Sequence, residues 1–448
     1  MPRPPFEWQP GDEVITAHGG LGTIGMLFDS LSVGERLNAS TIPGVGLPEI
    51  SHRDVAASYV GLLCQGKNDF DHIEPCRDDE FFRMALGLRG VPSSPTLRQR
   101  LEMAAADPQQ QWQRALHTGS EELLCQHARC RPLRVGDKDY VPLDLDVSPF
   151  DNSKTKKEGV SYTYKGHDGF APMFAYLGEE GYSLGVEFRE GKQHCQKGTP
   201  GFLRACIRQG QRILPGAPLL VRLDSGNDAT ENIDVCTEEG ADFLVKHNLR
   251  GEKAEEWLER AQRDKATTVE TPRPGKTVYR GSCMLSPKQG HAPVRSVYKI
   301  TVRTVTAQGQ GLLIPEIEPE VYWTSLPDTP DEIIRCYRDH GTMEQFHSEF
   351  KTDMDLERLP SGKFAVNQLI LDIAVVAYNM LRIIGQATIS DPTVPLRKRV
   401  QRRRLRTVID NLITCAAKLT RHARRLLVRY NRRNPWGVVL AHLYAAFT

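Results

Sequence analysis

The chain has 448 residues, of which 40% are hydrophobic and 25% charged, with a formal net charge of +2. That length accommodates about two to four domains, and that composition is a soluble globular protein's, not a disordered or fibrous one's. The opening MPRPPFEWQPGDEV has no apolar run, so no secretory signal is expected, and ten cysteines without a CxxC pair suit reduced thiols in a cytoplasm. The small net charge hides a polarity. Leu396 to Arg433 holds 14 Lys/Arg against the single acid Asp410, and Thr271 to Pro315 holds seven Lys/Arg and no acid. Two separate basic stretches favour a polyanionic partner, and nucleic acid in particular.

Residues 1 to about 135 read as mostly helical. Asp78–Leu88 and Pro95–Ala106 are helix-like, the second with Ser94 as N-cap before a proline. Arg98 and Arg100 on that helix could touch DNA, although a plain helical hairpin reads equally well. From Asp139 the pattern turns to strands. Tyr140 to Val147 alternates so that Asp144 and Asp146 share one face opposite Val141, Leu143, Leu145 and Val147. Strands are also expected near Ser161–Tyr164 and Tyr182–Arg189, then a helix over Thr199–Leu214. Leu219–Leu223 reads as a buried strand ending at Asp224-Ser225-Gly226. A helix over Ala229–Glu239 and a strand over Asp242–Lys246 follow.

The stretch from about Arg250 to Glu320 is expected to be an insertion with its own small sheet, from runs at Thr277–Met284 and Val294–Val305. Its Trp257, like Trp323 beyond it, is read first as a core residue. Val321–Leu326 is a short strand, and Thr329-Pro330-Asp331-Glu332 is a capping box that starts a helix. On one continuous helix Tyr337, His340, Glu344 and Lys351 would fall within roughly 60° of one another, beside an apolar stripe of Met343, Phe346, Phe350 and Met354. Phe364–Ile384 reads as a buried core helix interrupted by polar residues. In the last region Leu405, Val408, Ile409, Leu412 and Ile413 recur at helical spacing, predicting a docked helix with Arg402, Arg403, Arg404 and Arg406 turned outward toward DNA.

The expected organisation is a helical N-terminal region over 1–135, a catalytic core over 136–249 and 321–390, a β-rich basic insertion over 250–320 and a basic helical region over 391–448. The fold class is α/β: a mixed sheet with helices on both faces. Asp146 on a central strand, Asp224 at a strand end and Glu344 on a covering helix form a carboxylate set. Such a set suits two Mg²⁺ ions, with Mn²⁺ as a substitute, clamping a phosphodiester.

Together these residues resemble the DDE transposases of bacterial insertion sequences, with an RNase H-like core. Within them the chain resembles the group whose core is split by a β-strand insertion and whose last acid lies in Y-x2-R-x3-E-x6-K. Tyr337, Glu344 and Lys351 match at that spacing, while His340 stands where the group has arginine. Asp146-Val147-Ser148 and Leu223-Asp224-Ser225 resemble the other two acid motifs. The resemblance implies cut-and-paste movement of duplex DNA, with Asp146, Asp224 and Glu344 as catalytic and metal-holding residues. It also implies DNA contacts from Tyr337, His340 and Lys351, a homodimer in the synaptic complex, and a bacterial cytoplasm. An insertion-domain aromatic that holds a flipped base is a further implication, and Trp257 or Trp323 could fill it. Rival readings are an RNase H-like nuclease that does not rejoin strands, and a non-enzymatic DNA-binding descendant.

Overall fold

The computed structural model describes residues 7–46, 48–306, 308–338, 341, 343–396, 398, 400–423 and 425–448. The chain forms two compact units: Leu124–Ser348 with Gly362–Phe364, and Met1–Leu123 with Glu349–Ser361 and Ala365–Thr448.

The first unit is built on strands β1 (Lys138–Val147), β2 (Met173–Leu177), β3 (Tyr182–Glu187), β4 (Leu219–Leu223) and β5 (Asp242–Lys246). Their spatial order is 3-2-1-4-5. The first three pair antiparallel, whereas β4 lies parallel to β1 and β5 parallel to β4. This is the expected RNase H-like arrangement. Parallel strands need crossovers, and helices α1 (Thr199–Ile213) and α2 (Thr230–Glu238) supply them. Helix α1 buries Leu203, Cys206, Ile207 and Gly210, the i, i+3, i+4, i+7 stripe of an amphipathic helix. β4 is buried on both faces, as Leu219, Leu220, Val221 and Leu223 favour, with Arg222 buried among them.

The insertion does not make a separate sheet. Strands β6 (Thr268–Arg273), β7 (Lys276–Leu285), β8 (Val294–Val305) and β9 (Gly311–Thr324) continue the core sheet beyond β5. β9 is long enough to do both jobs. Its end, Tyr322 to Thr324, pairs with Leu244 to Lys246 of β5, while most of its length pairs with β8. The basic character of this stretch is also neutralised within the sheet. Arg303 pairs with Glu316 and Glu318, and Lys299 with Glu320, across the β8–β9 ladder. Those acids lie just past Pro315, where the basic stretch stops.

Helix α3 (Pro330–Arg338) starts at the expected capping box: the Thr329 amide donates to Glu332 and the Glu332 amide to Thr329 Oγ1. The single helix expected to carry Tyr337 through Lys351 is not continuous. α3 is described over Pro330–Arg338, Gly341 is in a 3₁₀ turn, α4 spans Met343–Ser348, and a π turn covers Glu349–Asp353. His340 lies outside the described residues. The apolar stripe Met343, Phe346, Phe350 and Met354 is buried throughout.

In the second unit, α5 (Phe364–Ile389) is the central helix. It is long and apolar enough to cross a membrane, but 83% of its most apolar window is buried within the protein. Several of its buried polar side chains have partners: Arg382 pairs with Glu349, Asp372 with His117, and Asn379 donates to Ser120. Helix Ser94–Ala105 is capped by Ser93, one residue earlier than expected, and its Arg100 reaches Ile50 O and the His52 ring. In the last region Leu405, Val408, Ile409, Leu412 and Ile413 are buried as expected. The region is not all helical, however. β10 (Ala417–His422) and β11 (Arg425–Tyr430) form a hairpin, extended to three strands by Val14–Thr16.

The expectation of outward arginines is corrected for Arg402 and Arg403, while Arg404 and Arg406 remain exposed. Arg402 bonds Glu349 at 2.6 Å, Arg404 bonds Asp353 at 2.9 Å, and Arg403 is itself buried over the Trp436 ring. The Arg406 amide donates to Asp353, and its guanidinium donates to Thr352 O. Glu349 and Asp353 are 1% and 2% exposed, and buried carboxylates without partners are costly enough to draw these arginines in.

Candidate active site

Asp146 and Asp224 are brought together by register. Leu145 of β1 pairs with Leu223 of β4 in the parallel ladder, so the next residue on each strand is an aspartate. Neighbouring strands lie about 4.8 Å apart, which sets the two carboxylates side by side at the C-terminal edge of β4. The contrast with Asp144 is informative. Asp144 and Arg222 are 2% and 0% exposed and form a two-pronged pair, Nε to Oδ1 at 2.7 Å and Nη2 to Oδ2 at 2.8 Å. The strand therefore neutralises one of its two aspartates with a buried cation. Among the described residues no Lys or Arg pairs with Asp146 or Asp224.

Asp146 Oδ1 accepts from the Val147 amide at 2.7 Å. Asp224 caps the 3₁₀ turn Ser225–Asn227 and accepts from the Asn227 amide and side chain at 3.2 and 2.7 Å. Burial, and then the charge of Asp146, push the Asp224 carboxyl above its ordinary pKa; the bonds from Asn227 oppose the shift without cancelling it. Two tyrosines report the same field. Burial first, then the charges of Asp224 and Asp146, push the Tyr337 phenol up. Tyr164 responds in the same way, its Oη donating to Val147 O at 3.0 Å.

Helix α4 carries Glu344 and, one turn on, His347. The His347 ring packs edge-on against Phe174 and Tyr176 of β2, and its Nδ1 lies 3.2 Å from Tyr176 Oη. Its Nε2 is buried without a hydrogen-bond partner and lies 3.5 Å from Asp146 Oδ2. The helix is thus seated over the Asp146 end of β1. Glu344, at i−3 from His347, is exposed beside it. Among the described residues no three His, Cys, Asp or Glu side chains converge into a metal-holding group. Asp146 and Asp224 make a carboxylate pair, and Glu344 lies three residues before His347, the residue by which α4 meets Asp146.

The donor set fits a hard divalent cation. Both aspartates offer oxygens, a bound cation would relieve their mutual repulsion, and among the described residues no Lys or Arg pairs with either. Tyr337 sits by this pair, its ring 4.8 Å from that of Tyr322. Lys351 lies on the π turn, in the other unit, and is half-buried. Trp257 and Trp323 are packed inside. Trp257 stacks in a cluster with Tyr298, Ile300 and Val321 and donates to Glu252; Trp323 donates to His247.

Sequence reasoning missed Arg222, His347 and Tyr164. Arg222 had a signal, since it faces Asp144 across the predicted strand pair on the same side. His347 could be found as the i+3 neighbour of Glu344. Tyr164 had none, because it reaches Val147 from a loop.

None of the curated proteins matches this chain. Among solved structures it is similar to the piggyBac transposase seen by cryo-EM in a synaptic complex with hairpin DNA. That match has 10% identity and a TM-score of 0.44 over 90% of this chain and 82% of that one, too loose to carry an argument. The family model for the transposase DDE domain, group 1, matches residues 13–448, almost the whole chain, and the chain belongs to that family.

Proposed function

We propose that the protein is a DNA transposase that cuts and joins transposon ends on duplex DNA, acting as a homodimer in the synaptic complex. The observation that carries this reading is the Asp146–Asp224 pair, set side by side by strand register and, among the described residues, paired with no Lys or Arg. In the first step water attacks phosphorus at the transposon end and the P–O3′ bond breaks. This leaves a 3′ hydroxyl on the transposon and a 5′ phosphate on the flank. In the second step that hydroxyl attacks a target phosphodiester, forming a new P–O bond and releasing a target 3′ hydroxyl.

Asp146 and Asp224 would hold Mg²⁺, with Glu344 as the third ligand. Two such ions supply activation of the attacking oxygen and charge relief at the leaving one. The chain's own contributions are positional. His347, braced between Phe174 and Tyr176, fixes α4 over Asp146. Tyr337 on α3 lies close enough for the charges of Asp224 and Asp146 to act on its phenol. Arg222 ties up Asp144, so the carboxylate that stays open on β1 is Asp146.

Strand transfer separates this reading from a nuclease. A labelled, pre-cut duplex ending in the inverted repeat that flanks the gene should join to supercoiled plasmid in Mg²⁺. Cutting without any joined product would leave only an RNase H-like nuclease.

A further inference from the structure

Arg402, Arg404 and Arg406 pair with the buried acids Glu349 and Asp353, and Arg403 is itself buried, yet the chain's basic excess does not end there. Residues 411–448 contain seven Lys/Arg and no Asp or Glu. Most of these lie on the β10–β11 hairpin and the turn after it. The register pairs Lys418 with Arg429, Thr420 with Leu427 and His422 with Arg425. Residues directly opposite in an antiparallel pair share a face. One face therefore presents Lys418, His422, Arg425 and Arg429, all exposed. The other carries Leu419, Leu426, Val428 and Tyr430, which line a 480 Å³ groove against the helices Leu21–Asp29 and Pro435–Ala446. Lys418 has only an exposed pair with Glu13 at 2.9 Å. Arg425, Arg429, Arg432 and Arg433 have no side-chain ion pair among the described residues.

We propose that this outer face, with the turn Arg432–Arg433, docks on the phosphate backbone of duplex DNA and supplies the sequence-independent part of its affinity. The proposal rests on the transposase reading above, which makes duplex DNA the polyanion at hand. The geometry suits that partner. Arg425 and Arg429 are four residues apart, about 13 Å at roughly 3.3 Å per residue, so they reach different phosphates. A two-stranded ribbon is narrow enough to lie along a groove. Charge on an edge strand also deters strand-to-strand aggregation. That need would be met by β11 alone and does not explain Lys418 and His422 on the inner strand, or the arginines of the turn.

The test uses the full chain in EDTA, so that no strand is cut, with fluorescence anisotropy on a transposon-end duplex and a random duplex across a NaCl titration. The variants are Arg425→Ala/Arg429→Ala and Arg425→Lys/Arg429→Lys. Losing two phosphate contacts should lower the salt slope by about 1.8 and weaken binding about 30-fold at about 0.15 M salt, on both duplexes alike. The lysine variant should keep most of the affinity, and both variants should melt like the wild type because the side chains are exposed. Wild-type affinity and slope in the alanine variant would overturn the proposal while leaving the transposase reading intact. So would a loss confined to the end duplex, or an equal loss in the lysine variant. A wild-type protein that binds no duplex at all would instead overturn the transposase reading, and this surface with it.

Discussion

Asp144 and Asp146 sit two residues apart on one strand, and the structure gives them opposite jobs, which mutation can separate. Asp144→Ala removes the partner of a guanidinium that is 0% exposed and held by two bonds of 2.7 and 2.8 Å. Arg222 keeps Glu179 at 3.1 Å and Cys336 O at 3.2 Å, which limits the loss but leaves most of a buried charge uncompensated. Breaking such a pair costs about 3–5 kcal/mol. In a unit of this size each kcal/mol is about 2–4 °C, so its calorimetric transition should fall by roughly 6–20 °C. Replacing both partners, Asp144→Leu with Arg222→Leu, removes the orphaned charge and should cost less than the sum of the single changes. Asp146→Asn should not lower the transition, because it removes a repulsion with Asp224. A fall under about 2 °C for Asp144→Ala, or a double variant worse than the sum, would refute this assignment of the two aspartates.

Three further outcomes follow from the same contacts. Mg²⁺ should raise the melting temperature of the wild type, by an amount equivalent to about 2.7 kcal/mol at a hundredfold excess over Kd, and should do nothing for Asp146→Asn; an equal shift in both would place the cation elsewhere. Burial, and then Arg100, depress the His52 pKa to about 4 from 6.5, so the unfolded chain takes up the proton first. Its contribution is complete above pH 6.5 and is lost as pH falls toward 4, about 3 kcal/mol; a His52→Gln variant should show a flatter melting profile over that range, and an unchanged profile would contradict the assignment. Arg402→Ala should destabilise its unit by about 1–3 kcal/mol, because Glu349 loses one of its bonds in a dry site, while leaving the salt slope of DNA binding unchanged; a shallower slope without destabilisation would return Arg402 to the DNA surface.

The core strands were legible because their signals are local. The runs Leu219–Leu223, Asp242–Lys246 and Val294–Val305 are strands at the residues expected, and Asp146 and Asp224 fall where the alternation put them. Strand β2, Met173–Leu177, was missed: Gly169 and Pro172 punctuate its approach, and its all-buried MFAYL shows no alternation. The π turn at Glu349–Asp353 was equally hidden, since the apolar stripe keeps helical spacing across it. What sequence could not supply was pairing over long separations. Arg402 and Arg404 looked like a DNA surface until Glu349 and Asp353, some fifty residues earlier, were seen to be buried beside them. The basic insertion looked like a second such surface until β9 brought Glu316, Glu318 and Glu320 across from β8.

The central claim is that Asp146, Asp224 and Glu344 do the chemistry. It is tested most directly by cleavage of a transposon-end duplex in Mg²⁺ by Asp146→Ala, Asp224→Ala and Glu344→Ala, each first shown to fold and to bind that duplex as the wild type does. The account predicts that all three bind and none cuts. Substantial cleavage by any of them, or robust wild-type cleavage in EDTA, would contradict it.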